Sequence, residues 1–111
     1  MNKRKIGNKY EKIAKNYLLS NGYKILRQNF YYKGGEIDLI AAKGKSLYFV
    51  EVKYRKNSNF GYAIESISNK KLLNIYKGIN LFLNNCEFFF DTIHISAITF
   101  DKNKMEYIDI V

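Results

Sequence analysis

Hydrophobic side chains recur along this chain with two periods. Ile6, Tyr10, Ile13, Ala14, Tyr17 and Leu18 fall on one stripe at helical spacing, so the first segment reads as an amphipathic helix. Asn21-Gly22 ends it, with Gly22 in place for a left-handed cap. The stretch YKILRQNFYY, from Tyr23, is rich in β-formers and predicts a first strand. After the turn KGGE, Ile37–Ala42 and Leu47–Tyr54 predict two more. A polar loop, RKNSNFGYAIES, leads to Ser68, the expected N-cap of a second helix. Leu72, Ile75, Tyr76, Ile79, Phe82 and Leu83 give that helix its apolar stripe, and Asn84-Asn85 stops it. FFFDTIHISAITF is too apolar to have an exposed face and predicts a central strand. KMEYIDIV, after a turn at Asp101–Lys104, predicts a last, shorter one. The order α-β-β-β-α-β-β implies an α/β fold, a mixed sheet with helices packed on it.

Length and composition narrow the class. The chain has 111 residues, 47% of them hydrophobic, with no proline. It reads as one domain over residues 1–111, without linker, repeat or low-complexity segment. The start lacks the apolar core of a secretory signal, and no apolar run reaches membrane-spanning length. A lone cysteine, Cys86, excludes an internal disulfide and makes the reducing cytoplasm the expected compartment. The net charge of +9 points to a polyanionic partner. Lys outnumbers Arg 16 to 3, the usage of an AT-rich genome, so the placement of the charge matters more than its sum.

The chemistry concentrates in GGEIDLIAAKGKSLYFVEVKYRK. Glu36 and Asp38 share a face of the second strand, Glu51 and Lys53 a face of the third, because strand side chains alternate. Gly44-Lys45 offers a two-residue hairpin loop with glycine first, as a type II′ turn requires. In that register Lys43 pairs with Ser46 and Asp38 lies opposite Glu51. Like charges so placed destabilise a sheet, and a hard divalent cation would offset the repulsion, with Lys53 attending it. The alternative is a solvated charged face opposite a core of Ile37, Leu39, Ala41, Tyr48, Val50 and Val52. Against it, Ile40, Leu47 and Phe49 share the charged face and make it apolar farther along. All-oxygen ligands favour Mg²⁺ or Mn²⁺. Arg55 and Lys56 follow the cluster, Lys70 and Lys71 open the second helix, and Lys3, Arg4 and Lys5 lie beside the first. All are candidate phosphate contacts. His94 and Cys86 read as structural residues, as do Tyr31 and Tyr32.

Asp38, twelve residues and then Glu51-Val52-Lys53 resemble the D…(D/E)xK signature of restriction-endonuclease-like nucleases. NGYKILRQN, GGEIDLIA, FVEVKYR, FG, the lysine of SISNKK and FFDTIHI follow in order. Together they are similar to the YraN-type family of small bacterial proteins, over nearly the whole chain. That resemblance implies the endonuclease-like fold and kinship with Holliday-junction resolvases. It implies Asp38 and Glu51 as metal-binding acids, with the Val52 backbone carbonyl as a further ligand. Lys53 would hold the attacking water or stabilise the transition state. Glu11 aligns with the acid of the family's first helix, Glu36 would support the site, and Arg55 and Lys71 align with basic positions. Tyr10 and Tyr31 depart from the usual glycine and arginine. The expected activity is metal-dependent cleavage of duplex or branched DNA. A non-catalytic nucleic-acid-binding module is the alternative, and a protein-interaction domain, homodimeric through the second helix or the FFFDTIHISAITF strand, a third.

Overall fold

The computed structural model describes residues 3–55, 69–101 and 104–110. Lys56 and Ser68, singled out above, lie outside them, as does the loop between. The elements are α1 (Lys3–Ser20), β1 (Lys24–Tyr32), β2 (Gly35–Lys43), β3 (Ser46–Arg55), α2 (Asn69–Asn84), β4 (Thr92–Asp101) and β5 (Lys104–Asp109). The strands form one sheet in the order β1-β2-β3-β4-β5. All neighbours are antiparallel except β3 and β4, which run parallel. A parallel pair needs a crossover, and α2 lies in it.

The helices cover opposite faces. Ala14 and Leu18 of α1 pack on Leu39, Ala41, Val50, Ile98 and Phe100. Ile75 and Ile79 of α2 pack on Ile37, Ile40, Leu47, Phe49 and Ile95. Neither face is a solvated one, so charges on either are out of the ordinary. The end of α1 closes as its sequence predicts. Gly22 has φ +86°, the Tyr23 N–H reaches the Leu18 carbonyl at 3.0 Å and the Gly22 N–H that of Leu19 at 3.3 Å, the two bonds of a Schellman cap.

α2 sits close on the sheet because Gly78 is buried against it. A Cβ at Gly78 would collide with the Tyr32 ring and reach 2.9 Å from Ile37. The Tyr32 hydroxyl donates to the Asn74 carbonyl at 2.8 Å, tying β1 to the same helix.

One predicted element is shorter than its hydrophobicity suggests. β4 starts at Thr92, and Phe88 and Phe89 before it are 73% and 86% exposed. The parallel register begins at Ser46↔Thr92. Upstream of Ser46 the neighbouring chain is the β2–β3 turn, whose Lys45 carbonyl accepts the Asp91 N–H at 2.8 Å but which offers no ladder to residues 88–90. β1 and β5 are the edges. β1 is broken by a register shift between Ile25 and Arg27 and by Asn29 at φ +52°. β5 is six residues long and carries Lys104, Glu106 and Asp109.

Candidate functional site

The hairpin register holds: Lys43 pairs with Ser46 and Leu39 with Val50. Gly44 takes φ +61° at the first loop position. The paired register stops at Leu39↔Val50. Beyond it β2 stays with β1 through Gly35↔Tyr32, while β3 stays with β4 as far as Arg55↔Asp101. The sheet forks between β2 and β3, and Asp38 stands at the fork. Its Oδ2 accepts the Val52 N–H at 2.8 Å, a donor that a continued ladder would have given to a β2 carbonyl.

Face alternation also breaks at this point. Ile37 packs under α2 with Ile40, whereas Leu39 and Ala41 lie under α1. Asp38 therefore opens on the α1 side, into a cleft of about 180 Å³ lined by Tyr10, Glu11, Glu36, Asp38, Val52 and Tyr54. Asn29, left-handed in the facing strand, marks the same irregularity from the β1 side. Glu51 keeps the face of Leu47 and Phe49, towards α2. The two acids thus flank the fork instead of sitting side by side on one face, the arrangement that simple alternation predicts.

Carboxylate oxygens of Glu11, Glu36 and Asp38 lie within 4.8 Å of one another. Glu36, expected only to support the site, stands in this group on the same terms as Asp38. Glu51 is 4% exposed. Its Oε2 faces the Lys71 ammonium at 3.5 Å, while its Oε1 is buried with no hydrogen-bond partner. A buried charged oxygen without a donor is costly, and carboxylate oxygens are the ligands that a hard cation takes. The donor set fits Mg²⁺ or Mn²⁺.

The electrostatics carry that strain. Burial pushes the Asp38 carboxyl up to about 8; Glu51, Glu36 and Glu11 add to the rise, and the Val52 N–H opposes it. Burial also raises Glu51, against the pull of Lys71 and Lys53. Glu11 is raised by burial and by Glu36 and Glu51. Lys53, half-buried, is lowered to about 8 by burial and by the neighbouring Lys71 ammonium, with Glu51 and Asp38 resisting. Strongly displaced titrations in a cleft are characteristic of sites that do chemistry.

The sequence-predicted residues divide accordingly. Asp38, Glu51, Lys53, Glu11, Glu36 and Lys71 meet at the fork. Lys70 lines a second cleft of about 330 Å³ with Lys71, Glu36 and Asn74. Val52 lines the α1-side cleft and gives its N–H to Asp38. Arg55 ends β3, level with Asp101; its side chain, like Lys56, lies outside the described residues. Tyr10 stacks on Tyr54 with ring centroids 4.4 Å apart and also meets Phe100 at 4.7 Å. Strand and helix periods alone do not reveal this aromatic wall beside Glu11; its signal is Tyr10 on the helical stripe and Tyr54 in phase with Val52. His94 stacks on Tyr48 at 4.5 Å and lies 3.6 Å from Asp109, a satisfied sheet histidine.

The sequence matches the model of the family described as uncharacterised protein family UPF0102 over residues 10–101. It is 37% identical over 108 residues to the UPF0102 protein of Fusobacterium nucleatum, covering 97% of this chain and 91% of that one. To a UPF0102 protein of Vibrio campbellii it is 44% identical over 100 residues, covering 84% and 82%. To one of Clostridioides difficile it is 47% identical over 100 residues, covering 86% and 88%.

Proposed function

The chain belongs to the uncharacterised protein family UPF0102, and within that family we propose that it is a metal-dependent endonuclease hydrolysing phosphodiester bonds of DNA. One observation carries the reading. Glu51 is buried with an orphaned oxygen, at a fork where Glu11, Glu36 and Asp38 crowd within 4.8 Å and Lys53 interacts with both Glu51 and Asp38. A domain that only binds has no use for acids that repel one another at a cost to its stability.

Asp38, Glu51 and the Val52 carbonyl would hold Mg²⁺ or Mn²⁺, with Glu36 and Glu11 as further oxygen donors. The ion, when bound, lowers the pKa of water and neutralises phosphate charge. Hydrolysis moves one proton off the attacking water and one onto the departing oxygen. Glu11, held above the usual carboxylate range, would take the first, and solvent water would supply the second. Lys53 brings positive charge to where negative charge develops on the phosphate. Lys71 neutralises Glu51, and the Asp38–Val52 bond fixes the fork that aims these groups. Lys70 at the start of α2 and Arg55 at the end of β3 contact flanking phosphates. The compartment is then the cytoplasm, where DNA is at hand. No helix among the described residues is long and apolar enough to cross a membrane.

Lys53→Met tests the reading, since it keeps the stem and removes the charge. Linear, nicked, flapped and four-way-junction DNA are offered with Mn²⁺ at matched saturation. Wild type cuts at least one of them, and the variant binds it equally but cuts about 10²–10³ more slowly, the loss typical of one such electrostatic group. Wild type that binds and cuts none supports the scaffold reading instead.

A further inference from the structure

Three clefts meet at this site, and each shares an acid with the next. The central one contains both Glu11 and Glu36. Glu36 also borders the cleft of Lys70, Lys71 and Asn74 at the start of α2. Glu11 also borders a cleft of about 270 Å³ between α1 and β1, lined by Asn8, Glu11, Lys12, Lys15, Gln28 and Asn29. Joined through the two glutamates, they make one trough with acids at its centre and lysines at both ends.

The α1 end is built for an anion that is not a protein side chain. Glu11 is the natural partner of Lys15, four residues on, in the favourable order for a helix. Its carboxylate is instead turned to Glu36 and Asp38. Among the described residues neither Lys12 nor Lys15 forms an ion pair. The remaining lining is amide side chains, donors and acceptors without charge. Asn29, at φ +52°, lies in this lining. Two ammonium groups with amides around them match phosphate oxygens, and the trough leads from them straight to the acids.

We infer that one polynucleotide strand lies along this trough, with phosphates on one side of the scissile bond held by Lys12 and Lys15 and on the other by the α2 lysines. The inference rests on the proposed function for what happens at the centre, and adds a strand-binding subsite on α1. With contacts on both sides of the acids, the strand enters and leaves, and the enzyme needs no free end.

The experiment measures binding without cleavage. A 20-nucleotide strand, alone and annealed to its complement, is titrated in EDTA across a salt series. In Lys12→Gln/Lys15→Gln the slope of log K against log salt falls in magnitude by about 1.4 on the single strand or about 1.8 on the duplex, two phosphates' worth. On the single strand, affinity then drops about sevenfold less than in wild type between about 50 and 200 mM salt. Lys24→Gln/Lys45→Gln, the same charge change on exposed lysines at the far end of the sheet, leaves the slope unchanged. Lys12→Arg/Lys15→Arg keeps the wild-type slope, which separates charge from any loss of helix packing. An unchanged slope in the Lys12/Lys15 variant, with wild type binding and cutting, overturns the subsite and leaves the proposed function standing. A lost slope in a protein that binds but never cuts sinks the nuclease and keeps the subsite. Wild type that binds neither probe overturns both. A closed single-stranded circle left intact under conditions that cut the linear strand overturns the open path.

Discussion

Asp38→Asn separates the two tasks that Asp38 performs. The amide keeps an oxygen to accept the Val52 N–H, now held at 2.8 Å, but removes the charge that burial and Glu51 disfavour. The folded protein holds the Asp38 proton up to about pH 8, against a usual value of 3.8. Between those limits the native state binds more protons than the unfolded chain, so this group's contribution to stability falls as pH rises. At pH 7 about 3 of those pH units are in play, which sets a ceiling of about 4 kcal/mol at 1.36 kcal/mol each. Desolvation of the new amide takes back part of this, leaving about 2 kcal/mol. For a domain of this size that raises the metal-free melting temperature by roughly 8 °C. At pH 4, where Asp38 carries its proton, only the cost of the amide remains and the variant lies about 2 kcal/mol below wild type; it overtakes wild type on the way to neutrality, and its gain levels off above pH 8. Thermal unfolding in EDTA at pH 4, 5.5, 7 and 8.5 reads it directly. Millimolar Mn²⁺ reverses the order, since an ion bound only by the native state stabilises wild type. Asp38→Ala, which also strands the Val52 N–H, gives up about 1–3 kcal/mol of the benefit. An Asp38→Asn protein less stable than wild type at pH 8.5, or a difference flat with pH, refutes the reasoning.

Lys71→Met removes the cation facing Glu51 at 3.5 Å. Because Lys71 is partly exposed, the loss is about 1–2 kcal/mol at neutral pH, shrinking towards pH 4 as Glu51 takes a proton; urea unfolding at the two pH values checks both numbers. Gly78→Ala drives a methyl into Tyr32 and Ile37 and costs about 1–3 kcal/mol by overpacking; an unchanged urea midpoint would mean that α2 does not sit as closely as described. Phe88→Ser with Phe89→Ser, at positions 73% and 86% exposed, changes stability by no more than about 0.5 kcal/mol, whereas membership of a strand would make the pair clearly destabilising.

Where two periods coincide with good punctuation, the fold was legible. Gly22 and Gly44 sit where the sequence needs positive φ, and the β2–β3 register follows from the hairpin loop alone. Hydrophobicity misled at Phe88 and Phe89 because a strand requires a neighbour, and the neighbour's start at Ser46 is fixed by a turn over forty residues away. Alternation placed Asp38 opposite Glu51 but is blind to a fork, which arises because β2 stays with β1 while β3 stays with β4. Asn29 was the one local hint, since asparagine tolerates the left-handed region better than most residues. The roles of Glu36 and Tyr10 depend on where α1 lands on the sheet, which no strand pattern encodes.

The irregular outer strands bear on how the chain behaves at high concentration. A long, flat, unpaired strand is a template for sheet-to-sheet growth and aggregation. Here β1 is interrupted twice, at the Ile25/Arg27 shift and at Asn29, and β5 is short and carries three charged residues. The Asn29 kink that borders the proposed strand-binding cleft is therefore also a guard against fibre formation. Asn29→Val would remove one of the two interruptions and lengthen the regular part of β1, at the risk of a sheet that recruits its own copies.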